Sequence, residues 1–124
     1  MKTHEDRAAT LLGHIVEAIG RIVTYTEGMS AAEFDRNKLV HDAVERNLIT
    51  IGEAAAQLRR ECPNFVAANE PNTWRLAADM RNQLTHAYVS IQNDIVWTVV
   101  RAHLPSLLQT ANRLRAGLIH GRLP

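Results

Sequence analysis

Apolar residues recur along this chain at steps of three and four almost from its start. Ala8, Leu12, Ile15, Ile19, Ile22 and Thr26 fall on one mostly apolar stripe and predict a helix from about His4 to Glu27. Gly28 is its expected stop. Gly13 and Gly20 lie inside it, each at a cost of about 1 kcal/mol relative to alanine. A close helix–helix approach would account for both. The run Ser30 to Glu33 has the spacing of a capping box, in which Ser30 caps the helix and Glu33 reaches back. A second helix begins there. Val40, Val44, Leu48, Ile51, Ala55 and Leu58 carry its stripe to about Arg60, with a bend expected near Asn37 and an end at Pro63.

The next ten residues, PNFVAANEPN, hold two prolines and three asparagines and read as a loop with room for one helical turn. A third helix is expected from about Thr73 to His86. Ser90 to Asp94 then offers polar caps, and a fourth helix runs from about Asp94 to Arg115. Pro105 inside that helix removes a backbone hydrogen bond and should kink or split it. Gly117 and Gly121 loosen the tail. The pattern shows no strand alternation and no internal repeat. It predicts an all-α, antiparallel bundle of four to five helices, with residues 1–124 as a single domain.

Composition narrows the function classes. Fourteen basic and 13 acidic residues leave a net charge of +1, so no broad basic surface of the duplex-DNA-binding kind is expected. Any contact with nucleic acid must come from a local cluster. Cys62 is the sole cysteine, which rules out an internal disulfide and suits a reducing, cytoplasmic setting. No apolar run nears the 18 or so residues needed to span a bilayer, and the first twenty residues lack the features of a secretory signal. His4, His14, His41, His103 and His120 show no metal-ligand spacing, and no metal or other cofactor is expected.

The chemistry concentrates in Met80 to Tyr88, MRNQLTHAY. At about 100° per residue, Arg81 and Tyr88 lie about 20° apart around a helix, whereas Arg81 and His86 lie about 140° apart. Asn82 and His86 are an i,i+4 pair. Either the helix loosens near Thr85, or a partner surface wraps around its end. A two-fold partner presenting the same segment would build one cleft from two sets of residues. Metal-free RNA cleavage needs a base for the 2′-OH proton and an acid for the leaving 5′-oxygen. Histidine suits both near neutral pH, and arginine offers a fixed fork of donors to the phosphorane oxygens. By spacing alone, the same residues also fit an ordinary solvated helix face.

The run Arg81-Asn-Gln-Leu-Thr-His86-Ala-Tyr88 resembles the R-x-x-x-x-H-x-Y motif of the HEPN superfamily, in its HepT-like toxin branch. Ala43 to Ala56, with Arg46, Gly52 and Glu53, is similar to the second-helix signature of that branch. Asp94 to Trp97 followed by Leu104-Pro105 is similar to its last helix. The resemblance implies a helical bundle that dimerises around the motif helix. It implies a metal-independent endoribonuclease, the toxin of a type VII-like toxin–antitoxin pair. The antitoxin would be an MNT-type nucleotidyltransferase able to place AMP on the motif tyrosine. Carried onto this chain, Arg81 would bind phosphate and stabilise the transition state, and His86 would act as acid or base. Asn82 would assist, and Tyr88 would be modified.

Arg46 and Glu53 are seven apart and share a face. They read either as members of surface or interhelix salt bridges, or as a phosphate-binding arginine and a carboxylate orienting Arg81 or His86. Trp74 and Trp97 read as core or interface anchors rather than base-stacking platforms. Arg113, Arg115 and Arg122 form a modest basic tail that is either solvated or tracks an RNA strand. The rival to a nuclease is a non-catalytic helical adaptor that binds a nucleotidyltransferase or a nucleotide. An adaptor has no need of Arg81 and His86.

Overall fold

The structure is a computed structural model that describes residues 3–86 and 93–121, with residues 81–86 described as helix backbone alone. All described regular structure is helical: α1 His4–Thr26, α2 Ala31–Arg36, α3 Lys38–Glu61, α4 Pro63–Ala68, α5 Pro71–His86, α6 Asn93–Thr98, a π-helical turn Val99–His103, and α7 Leu104–Ile119. The expected all-α bundle is present. Its long members are α1, α3, α5 and the α6–π–α7 rod, and α2 and α4 are short additions.

Local chemistry sets the boundaries. Thr3 caps α1 in a reciprocal capping box with Asp6, and Gly28 follows the helix at φ 74°, a backbone region that favours glycine. Ser30 and Glu33 form the expected capping box. The bend expected near Asn37 is a full break: Asn37 leaves helical geometry and its side chain accepts from the Val40 N–H at 3.1 Å, capping a new helix. Pro63 ends α3 and also starts α4, because proline lacks an N–H that the first helical turn does not use. The expected loop is therefore half helix. Pro105 splits the last rod as anticipated, and the turn ahead of it widens to π geometry, with the Leu104 N–H bonding to the Val99 carbonyl.

α3 is the spine. It packs against α1 on one side and α5 on the other, while α7 closes against α1. Ile15, Ile19, Ile22, Leu48, Ile51 and Leu58 are buried at the α1–α3 core. Arg7 and Glu61 clasp the start of α1 to the end of α3 through two contacts of 3.0 and 3.3 Å, which fixes the pair as antiparallel. Cys62, buried and free, donates to the His4 carbonyl at the same junction. Trp74 is fully buried, and its indole N–H donates to the Asn69 carbonyl at 2.8 Å, tying α5 to the turn before it. Glu70 holds that turn at φ 62°, in the left-handed region, and its carboxylate meets Arg113 of α7 at 3.5 Å.

The two internal glycines differ. A Cβ on Gly13 would stand 3.4 Å from the Arg115 guanidinium of α7, so the expected close approach is real there. Gly20 is exposed with open space around it, and the structure gives no packing reason for it.

Two outcomes follow. Leu58→Ala should cost about 2–5 kcal/mol in denaturant unfolding, because it opens a cavity in the α3 core; Val23→Ala, on the exposed side of α1, should stay within about 0.5 kcal/mol. The second concerns pH. The hydrogen bonds from Arg7 hold the Glu61 carboxyl below its ordinary range. A depressed carboxylate stabilises the fold above its unfolded pKa, and that contribution disappears as pH falls through the folded value. Glu61→Gln should therefore melt earlier than the parent chain at pH 7. The difference should vanish in acid, below the ordinary glutamate range.

Candidate functional site

α5 follows α4 and the turn at Asn69 and Glu70, and packs along α3. The α-helix continues to His86 without a break. That decides one of the two alternatives left by the sequence: residues 81–86 do not loosen near Thr85. On this regular backbone the positions of Arg81 and His86 stay about 140° apart around the axis. By register, Arg81 continues the stripe begun by the buried Trp74, Ala77 and Ala78, seven residues after Trp74. Arg81, Asn82 and His86 share these last two turns. Tyr88 lies outside the described residues.

The chain re-enters at α6, and this end of the molecule is held by an aromatic ladder. Phe34 of α2 is buried, with its ring centroid 4.7 Å from that of His41 and 5.1 Å from that of Trp97. A His41 ring nitrogen bonds to the Phe34 carbonyl. The Arg101 guanidinium sits 4.6 Å from the Trp97 ring centre and donates to the Met29 carbonyl at 2.8 Å. Asn93 reaches Asp35 at 3.3 Å. The ladder fixes where the segment following the motif must land, on α2 and the start of α3. Trp97 is thus a packing anchor, as expected of both tryptophans.

Arg46 and Glu53 are both exposed, on the face of α3 about 180° from the core stripe of Val44, Ile51 and Ala55. Among the described residues neither takes part in an ion pair, with each other or with any neighbour. The surface and interhelix pairing considered from the sequence is therefore not made within the described part of the chain.

The pattern of the sequence did not reveal three other features. Glu45 is half-buried, and burial first, then the nearby Asp42, pushes its carboxyl above the ordinary range. Asn47 is a buried amide on α3 whose side-chain N–H donates to the Ala43 carbonyl at 2.9 Å. A groove of about 500 Å3 runs between α5 and the π turn with α7, lined by Leu76, Met80, Val99, His103, Leu104 and Leu107. Only the last leaves a trace in the sequence, the proline that forces the π turn. Among the described residues no group of histidine, cysteine and carboxylate side chains is arranged to hold a metal ion, and no helix is long and apolar enough to cross a membrane.

Comparison with known proteins adds to this geometry. The family model described as ribonuclease HepT-like matches residues 15–114. A Thermococcus cleftensis protein, named as a candidate HepT ribonuclease, is 33% identical over 115 residues, which are 92% of this chain and 97% of that protein. A Methanocaldococcus jannaschii protein, named as a gamma-glutamylcyclotransferase and candidate RNase, is 33% identical over 96 residues, 77% of this chain but 42% of its own length. This chain therefore spans less than half of that relative. A candidate RNase of Caldanaerobacter subterraneus is 28% identical over 96 residues, 77% of this chain and 83% of its own. No solved structure matches the chain. With the family model covering most of its length, the chain belongs to the HepT-like ribonuclease family.

Proposed function

We propose that this protein is a metal-independent endoribonuclease, the toxin of a HEPN/MNT toxin–antitoxin pair, held in check by a nucleotidyltransferase that adds AMP to Tyr88. One observation carries the reading. In a chain of a ribonuclease family, the arginine and histidine of the R-x-x-x-x-H-x-Y run occupy the last two turns of a helix that stays regular through His86.

The chemistry is a transphosphorylation. A histidine base takes the 2′-OH proton, the 2′-oxygen forms its bond to phosphorus, and the bond from phosphorus to the 5′-oxygen breaks. A histidine acid protonates the departing 5′-oxygen, leaving a 2′,3′-cyclic phosphate. The Arg81 guanidinium balances charge on the non-bridging oxygens, and Asn82 assists. One chain brings one motif histidine, and base and acid are two roles. With the helix unbroken, a homodimer that presents two copies of the segment to one cleft supplies both. The native assembly should scatter light as twice 13.9 kDa.

Cleavage assays test the nuclease directly. Activity should survive EDTA, fail on a 2′-deoxy substrate, and fall by about 100-fold or more in His86→Ala, in line with the loss of a general acid–base group. Rescue by magnesium after EDTA treatment would remove His86 from this role. Expression of the chain alone should arrest growth, and His86→Ala should relieve the arrest.

Tyr88 lies outside the described residues; if the register of α5 is carried seven residues on from Arg81, the two positions would stand about 20° apart, and an AMP phosphate on the tyrosine oxygen would come within reach of the guanidinium that otherwise takes the RNA phosphate. Tyr88→Phe should retain nuclease activity and escape neutralisation by the nucleotidyltransferase. Intact mass of the co-expressed wild-type chain should rise by AMP. Full neutralisation with no mass change would mean that the partner inhibits by binding alone.

A further inference from the structure

The groove between α5 and the π turn with α7 takes no part in the chemistry above, yet it adjoins the motif. Its volume of about 500 Å3 falls within the roughly 300–1,000 Å3 usual for small-ligand sites. α5 gives Leu76, Asp79 and Met80 to one wall; the π turn and α7 give Val99, His103 and Leu107 to the other. Met80, Val99 and Leu107 are half-buried, and Leu76 is 61% exposed, so apolar surface stands open to water here. Asp79 and His103 are exposed polar groups on opposite walls.

The register of α5 ties this groove to the motif. Met80 directly precedes Arg81. Asp79 lies about 60° around the axis from Leu76 and about 20° from the position of His86, seven residues on. The carboxylate thus stands on the side of the groove nearest the face of position 86, about 10 Å along the axis from it. A negative group is unsuited to hold a phosphate. Ionised, it can only accept hydrogen bonds.

We propose that this groove holds one base of a single-stranded RNA, a neighbour of the cleaved bond, and that Asp79 selects guanine. Guanine is the RNA base whose pairing edge carries two adjacent donors, N1–H and the N2 amino group, and a carboxylate accepts from both. Adenine and cytosine set one amino group beside a bare ring nitrogen, whose lone pair would face the carboxylate. Uracil sets a single imino donor between two carbonyls. On the opposite edge, N7 of guanine accepts from a ring N–H of His103. The faces of the base lie against Met80 and Leu107, as an unstacked base of a single strand permits. This inference rests on the ribonuclease reading above for the place of the cleaved bond, whereas the occupant of the groove is tested without cleavage.

Three 2′-deoxy pentanucleotides serve as probes, each with one guanine, hypoxanthine or adenine among thymines. They offer the bases without a 2′-OH to react. Titrated into the full chain, the guanine strand should bind about 10–100-fold more tightly than the adenine strand, with hypoxanthine, which lacks the amino group, in between. Backbone amide resonances of Leu76, Met80, Val99 and Leu107 should shift on binding. Asp79→Asn replaces an acceptor with a donor, matches the donor–acceptor edge of adenine, and should remove the guanine preference. Both parent and variant should show the same circular dichroism, since Asp79 is exposed. A carboxylate that acted only as a nearby charge would, once neutralised, tighten all three strands alike, and that result overturns the assignment. Equal affinities in the parent, shifts confined to another face, or no binding of any strand overturn it too, even if the chain cuts RNA. A parent that prefers guanine but cleaves no RNA upholds the groove and sinks the nuclease reading alone.

Discussion

A helix buried along two flanks has one face left, and most of what this molecule can do follows from how α3 distributes its faces. One flank carries the contacts to α1, closed by the Arg7–Glu61 clasp, and the other accepts α5. α5 follows the short α4 and is held along its flank by packing against α3. The motif segment is placed by this packing alone. Its distance from the start of α3 is set by the lengths of two antiparallel helices.

The far end is set by a different kind of contact. The described residues resume at α6, from Asn93. The landing site is specified by Phe34, Trp97, His41 and Arg101, through ring contacts and two hydrogen bonds to backbone carbonyls. The Trp97–Phe34 ring contact holds α6, a helix of only six residues whose length alone would not sustain it. The π turn behind it absorbs Pro105 and opens the groove beside α5. A proline that would be a fault in a straight helix thus shapes the surface next to the motif.

How much of this was legible in the sequence depended on whether the signal was local. The Ser30–Glu33 capping box, the stripes of α1 and α3, and the proline in the last rod are local, and the sequence shows each in place; the Thr3–Asp6 box that caps α1 is as local but emerges only in the structure. At Asn37 the sequence suggests a bend; the full break comes from its side chain taking the Val40 N–H, a competition between side chain and backbone that periodicity does not report. The helix in PNFVAA was hidden for a similar reason. Proline reads as a terminator, yet it is also a favoured first residue. Gly20 shows the limit from the other side: a glycine in a helix invites a packing explanation, and among the described residues nothing packs there. At the candidate site, the motif residues were legible by their spacing. The exposure of Arg46 and Glu53 was not, because a shared face says nothing about which face it is until the core is known.

The regularity of α5 constrains the mechanism more than any single side chain does. Had the helix unwound near Thr85, one chain could have turned Arg81 and His86 toward a common phosphate. Because it does not, the two positions stay about 140° apart around the axis, and a single convex helix cannot enclose a substrate between them. A concave site needs a second wall. Among the described residues, the groove between α5 and the π turn with α7 reaches as far as Met80, the residue before Arg81. Under the proposed modification, a phosphate added at Tyr88, seven residues after Arg81 in the sequence, would compete for the guanidinium and leave the acid–base group untouched. Inhibition would then act through binding of the RNA phosphate rather than through proton transfer.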